Sequence, residues 1–273
     1  MKHFLFYLIA QILPFVVNAK IPYVSYEEAF YPDACHSNET GAIFQSFYNS
    51  YKNQSPAEEK YLIPKLIHFI WLGSEIPLKI MNIVETWKKW HPKWTVKIWT
   101  DEDIPSFGLQ NQRAFDRAIS FGEKSDIFRY EILYRFGGVY ADIDFECLQP
   151  FDSLHQSCEF YTGVNRDNLW LLNGLIGAKP GHPVLKACID NLKTDKVDYD
   201  AFRIMEQTGP YYFTRVFLAT APSCQQSKIA IFPPTFFYPL PNSISLDAAG
   251  EEKQRFVRPE SMCIHYWSCS WMR

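Results

Sequence analysis

Beyond residue 62 the chain alternates short apolar runs with segments whose apolar positions recur at helical spacing. Leu66–Trp71 is a continuous apolar stretch closed by Leu72-Gly73, too short for a helix, and it predicts a buried strand. Pro77 then opens a segment whose Ile80, Ile83, Val84 and Trp87 share one helical face. Trp94–Trp99 alternates as a strand does. Strand, helix and strand in close succession predict a βαβ unit of a parallel sheet. A helix dense in aromatics follows at Gly122–Phe136, stopped by Gly137-Gly138, and a strand at Val139–Phe145. The pattern continues with a strand at Gly174–Ala178, helices at Pro183–Leu192 and Gly209–Leu218, and a strand at Ile229–Phe232. Without a convincing linker, residues 62–273 read as one α/β domain. Residues 20–61 are polar and turn-rich, with one helical stretch at Ala42–Lys52, and read as a lead-in that packs on that domain.

Composition narrows the class. The 273 residues carry 47% hydrophobic and 21% charged positions and a formal net charge of -3, which speaks against a disordered chain and against a sequence-independent nucleic-acid binder. Residues 1–19 join a basic start (Lys2, His3), an apolar run Phe4–Val17 and a small-residue exit at Ala19, as an export signal does. An uncleaved signal-anchor lying close to a membrane is the alternative, since the run is shorter than the ~20 residues a spanning helix needs. Seven cysteines lie scattered without a C-x-x-C, so a zinc knuckle is disfavoured, and the odd count leaves at least one thiol free. Export makes disulfides plausible, with a pairing that the sequence leaves open. Aromatic residues reach 17%, more than a core of this size needs, so some rings are expected to face a ligand.

The candidate chemistry centres on two acids. On an unbroken strand, Asp142 and Asp144 would project from one face, with Cα atoms roughly 6.5–7 Å apart. Such a pair suits a divalent ion with oxygen ligands, Mn²⁺ or Mg²⁺, shared with substrate phosphates. A glycosidase's acid pair flanks the scissile bond from opposite sides, which this spacing serves poorly, and the bland alternative is a solvated strand end. Gly137-Gly138 lie just upstream, at the position where α/β sheets place ligands. Asp126 and Arg129 share one face of the preceding helix, too apolar a helix for that face to be simply solvated. No G-x-S-x-G, G-x-G-x-x-G or P-loop is present.

Taken together, Ser125-Asp126-Ile127-Phe128-Arg129 and Gly137-Gly138-Val139-Tyr140-Ala141-Asp142-Ile143-Asp144 resemble the sugar-binding DXD segment of glycosyltransferase family 32. That family includes α-mannosyltransferases and inositol-phosphoceramide mannosyltransferases, and its donor site is similar to that of the clostridial glucosylating toxins. The resemblance extends over Ile63–Gly73, Trp99–Asp103, Asn173-Gly174, Ala178–Pro183, Thr208-Gly209-Pro210 and His265–Trp271, in family order.

The resemblance implies an α/β fold of the GT-A type, a Rossmann-like mixed sheet flanked by helices that binds nucleotide-diphosphate sugars. It also implies a hexose transfer to a hydroxyl of a glycan or lipid, with retention of configuration and with Mn²⁺ or Mg²⁺. GDP-mannose and the UDP-hexoses stay open as donors, and an effector that modifies protein, or a sugar-binding protein without turnover, stays open as a rival. It implies that Trp71 stacks on the base and that Asp126 and Arg129 hold sugar hydroxyls and phosphate. Asp144 would bind the ion, with Asp142 on the ion or the ribose. Tyr140, Asn173, Ser268, Ser270 and Trp271 would complete the donor site. His265 would complete the metal shell, against the alternative of a satisfied core histidine. Trp87, Trp90, Trp94 and Trp99 follow helix or strand periodicity and belong to packing.

Overall fold

The computed structural model describes residues 24–30, 38–53, 60–166, 169–193, 200–224, 226–244, 246, 250 and 252–268. The expected export signal, Cys35, and the tail residues Cys269, Ser270 and Trp271 lie outside the described residues. Six strands form a mixed sheet in the order β2-β1-β3-β6-β5-β7. They are β1 (Leu66–Ile70), β2 (Thr95–Trp99), β3 (Gly138–Ala141), β5 (Phe160–Val164), β6 (Leu171–Ala178) and β7 (Ile229–Phe232). β1 runs parallel to β2 and β3, β6 is antiparallel to its neighbours β3 and β5, and β7 is parallel to β5. Two short strands, β4 (Phe145–Cys147) and β8 (Cys263–His265), pair antiparallel in a second sheet.

Helices cover the large sheet. Leu78–Trp90 supplies the crossover between β1 and β2, buries Ile80, Ile83, Val84 and Trp87, and ties itself to β4 through the Trp87 indole, which donates to the Phe145 carbonyl at 2.6 Å. Phe121–Phe136 starts at Ser120, whose hydroxyl accepts from the Glu123 N–H at 3.1 Å. It ends at Gly137 with φ +63°. Gly138 follows with φ +98°, and a Cβ there would meet the Leu66 carbonyl at 2.6 Å, so only glycine lets β3 enter beside β1. The helix Glu39–Lys52 packs on β7 through Tyr48, whose ring lies 5.9 Å from that of Phe232.

Two expectations need correction. The predicted strand Val139–Phe145 stops at Ala141. The Asp142 N–H still reaches the Gly174 carbonyl at 2.8 Å, but the Phe145 N–H then closes a turn onto the Asp142 carbonyl at 3.0 Å, and the chain leaves to pair with β8. The two acids therefore converge from a turn, not from one face of a strand. The strand expected at Gly174–Ala178 begins earlier, at Leu171, because Leu171 and Leu172 pair with Val164 and Gly163 of β5 beyond a register shift, while Leu175–Ala178 pair with β3 as well. β5, with its aromatic and β-branched run Phe160-Tyr161-Thr162, is an additional strand that periodicity alone does not single out.

Candidate active site

β1 and β3 run parallel, so Trp71 and Asp142 leave the sheet at the same edge, just after the last residues of their strands. The turn carrying Asp142 and Asp144 meets the end of β8. One ligand atom each from Asp142, Asp144 and His265 lies within 4.8 Å of the others. His265 Nε2 is 3.1 Å from Asp144 Oδ1 and 3.9 Å from Asp142 Oδ2. The ring is held by aromatic walls: Phe145 stacks on it at 4.4 Å between centroids and Trp267 lies at 4.3 Å. Its Nδ1 is buried with no hydrogen-bond partner among the described residues, so its polar interactions concentrate on Nε2. Just beyond, Trp267 adopts φ +50°, unusual for a non-glycine residue, and this turn aims the Ser268 N–H at Asp144 Oδ2, 2.7 Å away.

The other half of the site surrounds Arg129, which is 4% exposed. Its Nη2 lies 3.1 Å from Asp126 Oδ1 and 3.2 Å from Asp142 Oδ1, and its Nη1 donates to the Asn173 carbonyl at 2.8 Å. The guanidinium stands over the Tyr140 ring at 4.6 Å, and the Tyr140 hydroxyl donates to Asp142 Oδ1 at 2.7 Å. The Asn173 amide donates to Asp126 Oδ1 at 2.8 Å, and the Thr208 hydroxyl donates to Asp126 Oδ2 at 3.0 Å. Tyr130, whose hydroxyl donates to the Thr208 carbonyl at 2.7 Å and accepts from Asn173, closes the network. Gly174 permits the close approach of Asp142: a Cβ there would lie 2.7 Å from Asp142 Oδ2.

The electrostatics follow from burial. Desolvation lifts the Asp126 carboxyl to about 6, with Arg129 opposing and Asp142 adding to the rise. Burial also pushes Asp144 up, but the charge and hydrogen bond of His265 and the Ser268 N–H outweigh it and hold the group below the usual carboxylate range. Burial lowers His265 in turn, and Asp144 outweighs that, leaving the imidazole raised. Three carboxylates thus face Arg129 and His265 in one recess. Two carboxylates and an imidazole nitrogen fit a divalent cation that takes oxygen and nitrogen ligands, and a bound cation would relieve the crowding of acids.

Among the residues singled out from the sequence, Asp126, Arg129, Tyr140, Asp142, Asp144, Asn173, His265 and Ser268 come together in this network. Tyr140 enters through its contacts to Asp142 and Arg129, and Ser268 through its backbone N–H. Trp71 is half-buried at the same sheet edge, with its indole N–H on the Ser74 carbonyl at 2.9 Å. Tyr130, Thr208 and Trp267 join as residues to which sequence reasoning assigned no role. Thr208 and Trp267 lie inside motifs already noted, and Tyr130 follows Arg129 on the helix Phe121–Phe136.

The fold is the one that GT-A glycosyltransferases share. PaToxG glycosyltransferase superposes with a TM-score of 0.50 at 21% identity, covering 66% of this chain and 76% of that one. The ligand-free glycosyltransferase domain of the YGT toxin gives the same TM-score at 10% identity, over 63% of this chain and 80% of that one. At this identity the likeness speaks for the fold alone. Residues 77–161 match the family described as glycosyltransferase sugar-binding region containing DXD motif, and that stretch includes the Ser125–Arg129 and Gly137–Asp144 segments that carried the resemblance. Inositol phosphoceramide mannosyltransferase 3 of Schizosaccharomyces pombe is 31% identical over 176 residues, 62% of this chain and 47% of that protein. Inositol phosphoceramide mannosyltransferase 1 of the same yeast is 36% identical over 137 residues, 48% and 43%. Mannosyl phosphorylinositol ceramide synthase CSH1 of Saccharomyces cerevisiae is 31% identical over 183 residues, 62% and 45%. The matched stretch spans less than half the length of these relatives.

Proposed function

We propose that this chain is a divalent-metal-dependent, retaining glycosyltransferase that moves a hexose from a nucleotide-diphosphate sugar to a hydroxyl of a lipid or glycan. The observation that carries the reading is the convergence of Asp142, Asp144 and His265 beside a buried Arg129. Asp144, Asp142 and His265 would hold Mn²⁺ or Mg²⁺, and the ion would supply positive charge to the leaving diphosphate. Asp144 is aimed for this by the Ser268 N–H and Asp142 by the Tyr140 hydroxyl, so neither carboxylate must reorganise. Arg129, positioned by Asp126 and the Asn173 carbonyl, adds fixed charge beside the diphosphate. Asp126, which already accepts from Asn173 and Thr208, presents its remaining acceptor capacity to sugar hydroxyls. Trp71 offers a ring to the base.

Relatives named inositol phosphoceramide mannosyltransferases favour mannose as the sugar and an inositol phosphoceramide as the acceptor, which makes GDP-mannose the first donor to test among those left open, and the export-type segment at residues 1–19 favours the secretory pathway. Among the described residues no helix is long and apolar enough to cross a membrane. The decisive experiment incubates the protein with a panel of nucleotide sugars, with Mn²⁺, Mg²⁺ or chelator, and measures released nucleoside diphosphate. GDP release from GDP-mannose that needs the metal, and that falls at least ~100-fold in Asp144→Asn, is expected. Equal release with chelator overturns the metal dependence, and release from no donor overturns the transfer reaction. Labelled sugar appearing on protein, in place of an inositol-containing lipid, overturns the lipid acceptor.

A further inference from the structure

The seven cysteines leave their pairing open in the sequence, but the small sheet brings two of them face to face. Cys147 on β4 and Cys263 on β8 are direct register partners, between the pairs Phe145–His265 and Leu148–Met262. The ladder identifies the type of pair. The Tyr266 N–H donates to the Asp144 carbonyl at 3.2 Å and the Leu148 N–H to the Met262 carbonyl at 2.9 Å, so hydrogen-bonded pairs fall at 144–266 and 148–262. Alternation then makes 145–265 and 147–263 non-hydrogen-bonded pairs, whose Cα atoms approach to about 4.5 Å and whose side chains lie closest. The stacked rings of Phe145 and His265 demonstrate that closeness two pairs along, on the same face of the ribbon. A Cα separation of that size lies inside the range of about 4.4–6.8 Å that disulfides span. The Cys147 N–H is turned away from β8 and donates to the Thr86 hydroxyl at 2.9 Å, as a non-hydrogen-bonded position requires.

We infer that Cys147 and Cys263 form a cross-strand disulfide that fastens β8, and with it His265 and the Ser268 clamp on Asp144, onto β4. In the reduced structure each thiol makes only a weak contact, Cys147 Sγ to the Gln149 carbonyl at 3.2 Å and Cys263 Sγ to the Phe237 carbonyl at 3.7 Å. Oxidation replaces both contacts with one covalent bond. Two thiols lose two protons and two electrons to a small disulfide such as oxidised glutathione, which leaves as two thiols. Both cysteines are buried in the folded chain, so the exchange belongs to folding, while the sulfurs are still exposed. The bond closes the long chain segment between the two strands, the kind of loop whose closure most restrains the unfolded chain.

The test is peptide mapping of wild-type protein, folded in a glutathione redox buffer, denatured in alkylating reagent and digested without reduction. A peptide pair joined through Cys147 and Cys263 is expected. The joined protein should melt roughly 5–15 °C above a Cys147→Ala/Cys263→Ala variant, and above wild type folded under reductant. Slower amide exchange at Cys263–His265 should accompany the oxidised form. Alkylation of both thiols in protein folded under oxidant, or a bond from either cysteine to a third one, overturns the assignment. These readouts need no donor or acceptor, so they stand or fall independently of the glycosyltransferase reading.

Discussion

At the scale of single residues, the histidines illustrate how environment selects chemistry. His91 donates from Nδ1 to the Trp87 carbonyl and accepts at Nε2 from the Phe151 N–H, so both nitrogens are committed as a neutral ring. His68 donates to the Gly137 carbonyl and accepts from the Trp99 indole, with the same outcome. His265 alone among the described histidines turns a nitrogen toward carboxylates. In sequence each is flanked directly by apolar residues, and only the motif His265–Trp271 marks His265 out. Gly174 is the sharpest residue-scale test, because a methyl group there would overlap Asp142 Oδ2. Gly174→Ala is expected to lower metal-dependent diphosphate release about 10- to 100-fold, with the far-UV circular dichroism unchanged. Full activity in that variant would mean that the position of Asp142 matters little.

At the scale of elements, the exit of β1 is built to present a ring. The Trp71 N–H continues the strand pairing to the Trp99 carbonyl at 2.9 Å, its indole folds back on Ser74, and the Gly73 N–H is held by the Asp101 carboxylate at 2.7 Å. The expectation that Trp71 stacks on the donor's base yields a kinetic split. Trp71→Ala should raise KM for the nucleotide sugar about 10- to 100-fold, the equivalent of ~1–3 kcal/mol of stacking, while kcat changes less. An unchanged KM would place the base elsewhere. The helix Phe121–Phe136 and β6 cooperate in the same way around Arg129. Arg129→Ala would leave Asp126 buried without its cation, and urea unfolding should register a loss of roughly 3–5 kcal/mol. A loss below ~1 kcal/mol would mean that the pair is solvated in solution.

At the scale of the whole molecule, buried neutral histidines set a pH dependence. Burial lowers His68, His91 and His182 to about 4 and His155 to about 3. An unfolded chain binds protons on these rings below pH ~6.5 while the folded chain does not, so their contribution is complete above that pH and is lost as pH falls toward 4. Asp126, whose folded value is raised to about 6, acts in the opposite sense, since its buried carboxyl prefers the proton. The histidines should dominate, and the unfolding free energy from urea titration is expected to drop between pH 7 and pH 5, by on the order of 1–2 kcal/mol for each ring. His182→Asn keeps a side-chain acceptor for the Val184 N–H at the helix start and should flatten that slope. An identical slope in the variant would remove His182 from the account.

Hydrophobic periodicity determined the α/β class and the position of most sheet and helix segments, because apolar spacing reports burial wherever an element has one wet and one dry face. Motif order determined the candidate residues, since Asp126, Arg129, Asp142 and Asp144 occur at short, recognisable spacings. Tertiary structure alone decided how they meet. The turn after Ala141 exists because Phe145 pairs with β8, far along the chain, and that pairing brings His265 to the two acids. The same pairing sets Cys147 opposite Cys263. No local pattern encodes a contact between segments so distant in sequence. It is fixed by the register of two three-residue strands, and that register depends on the whole core against which they pack.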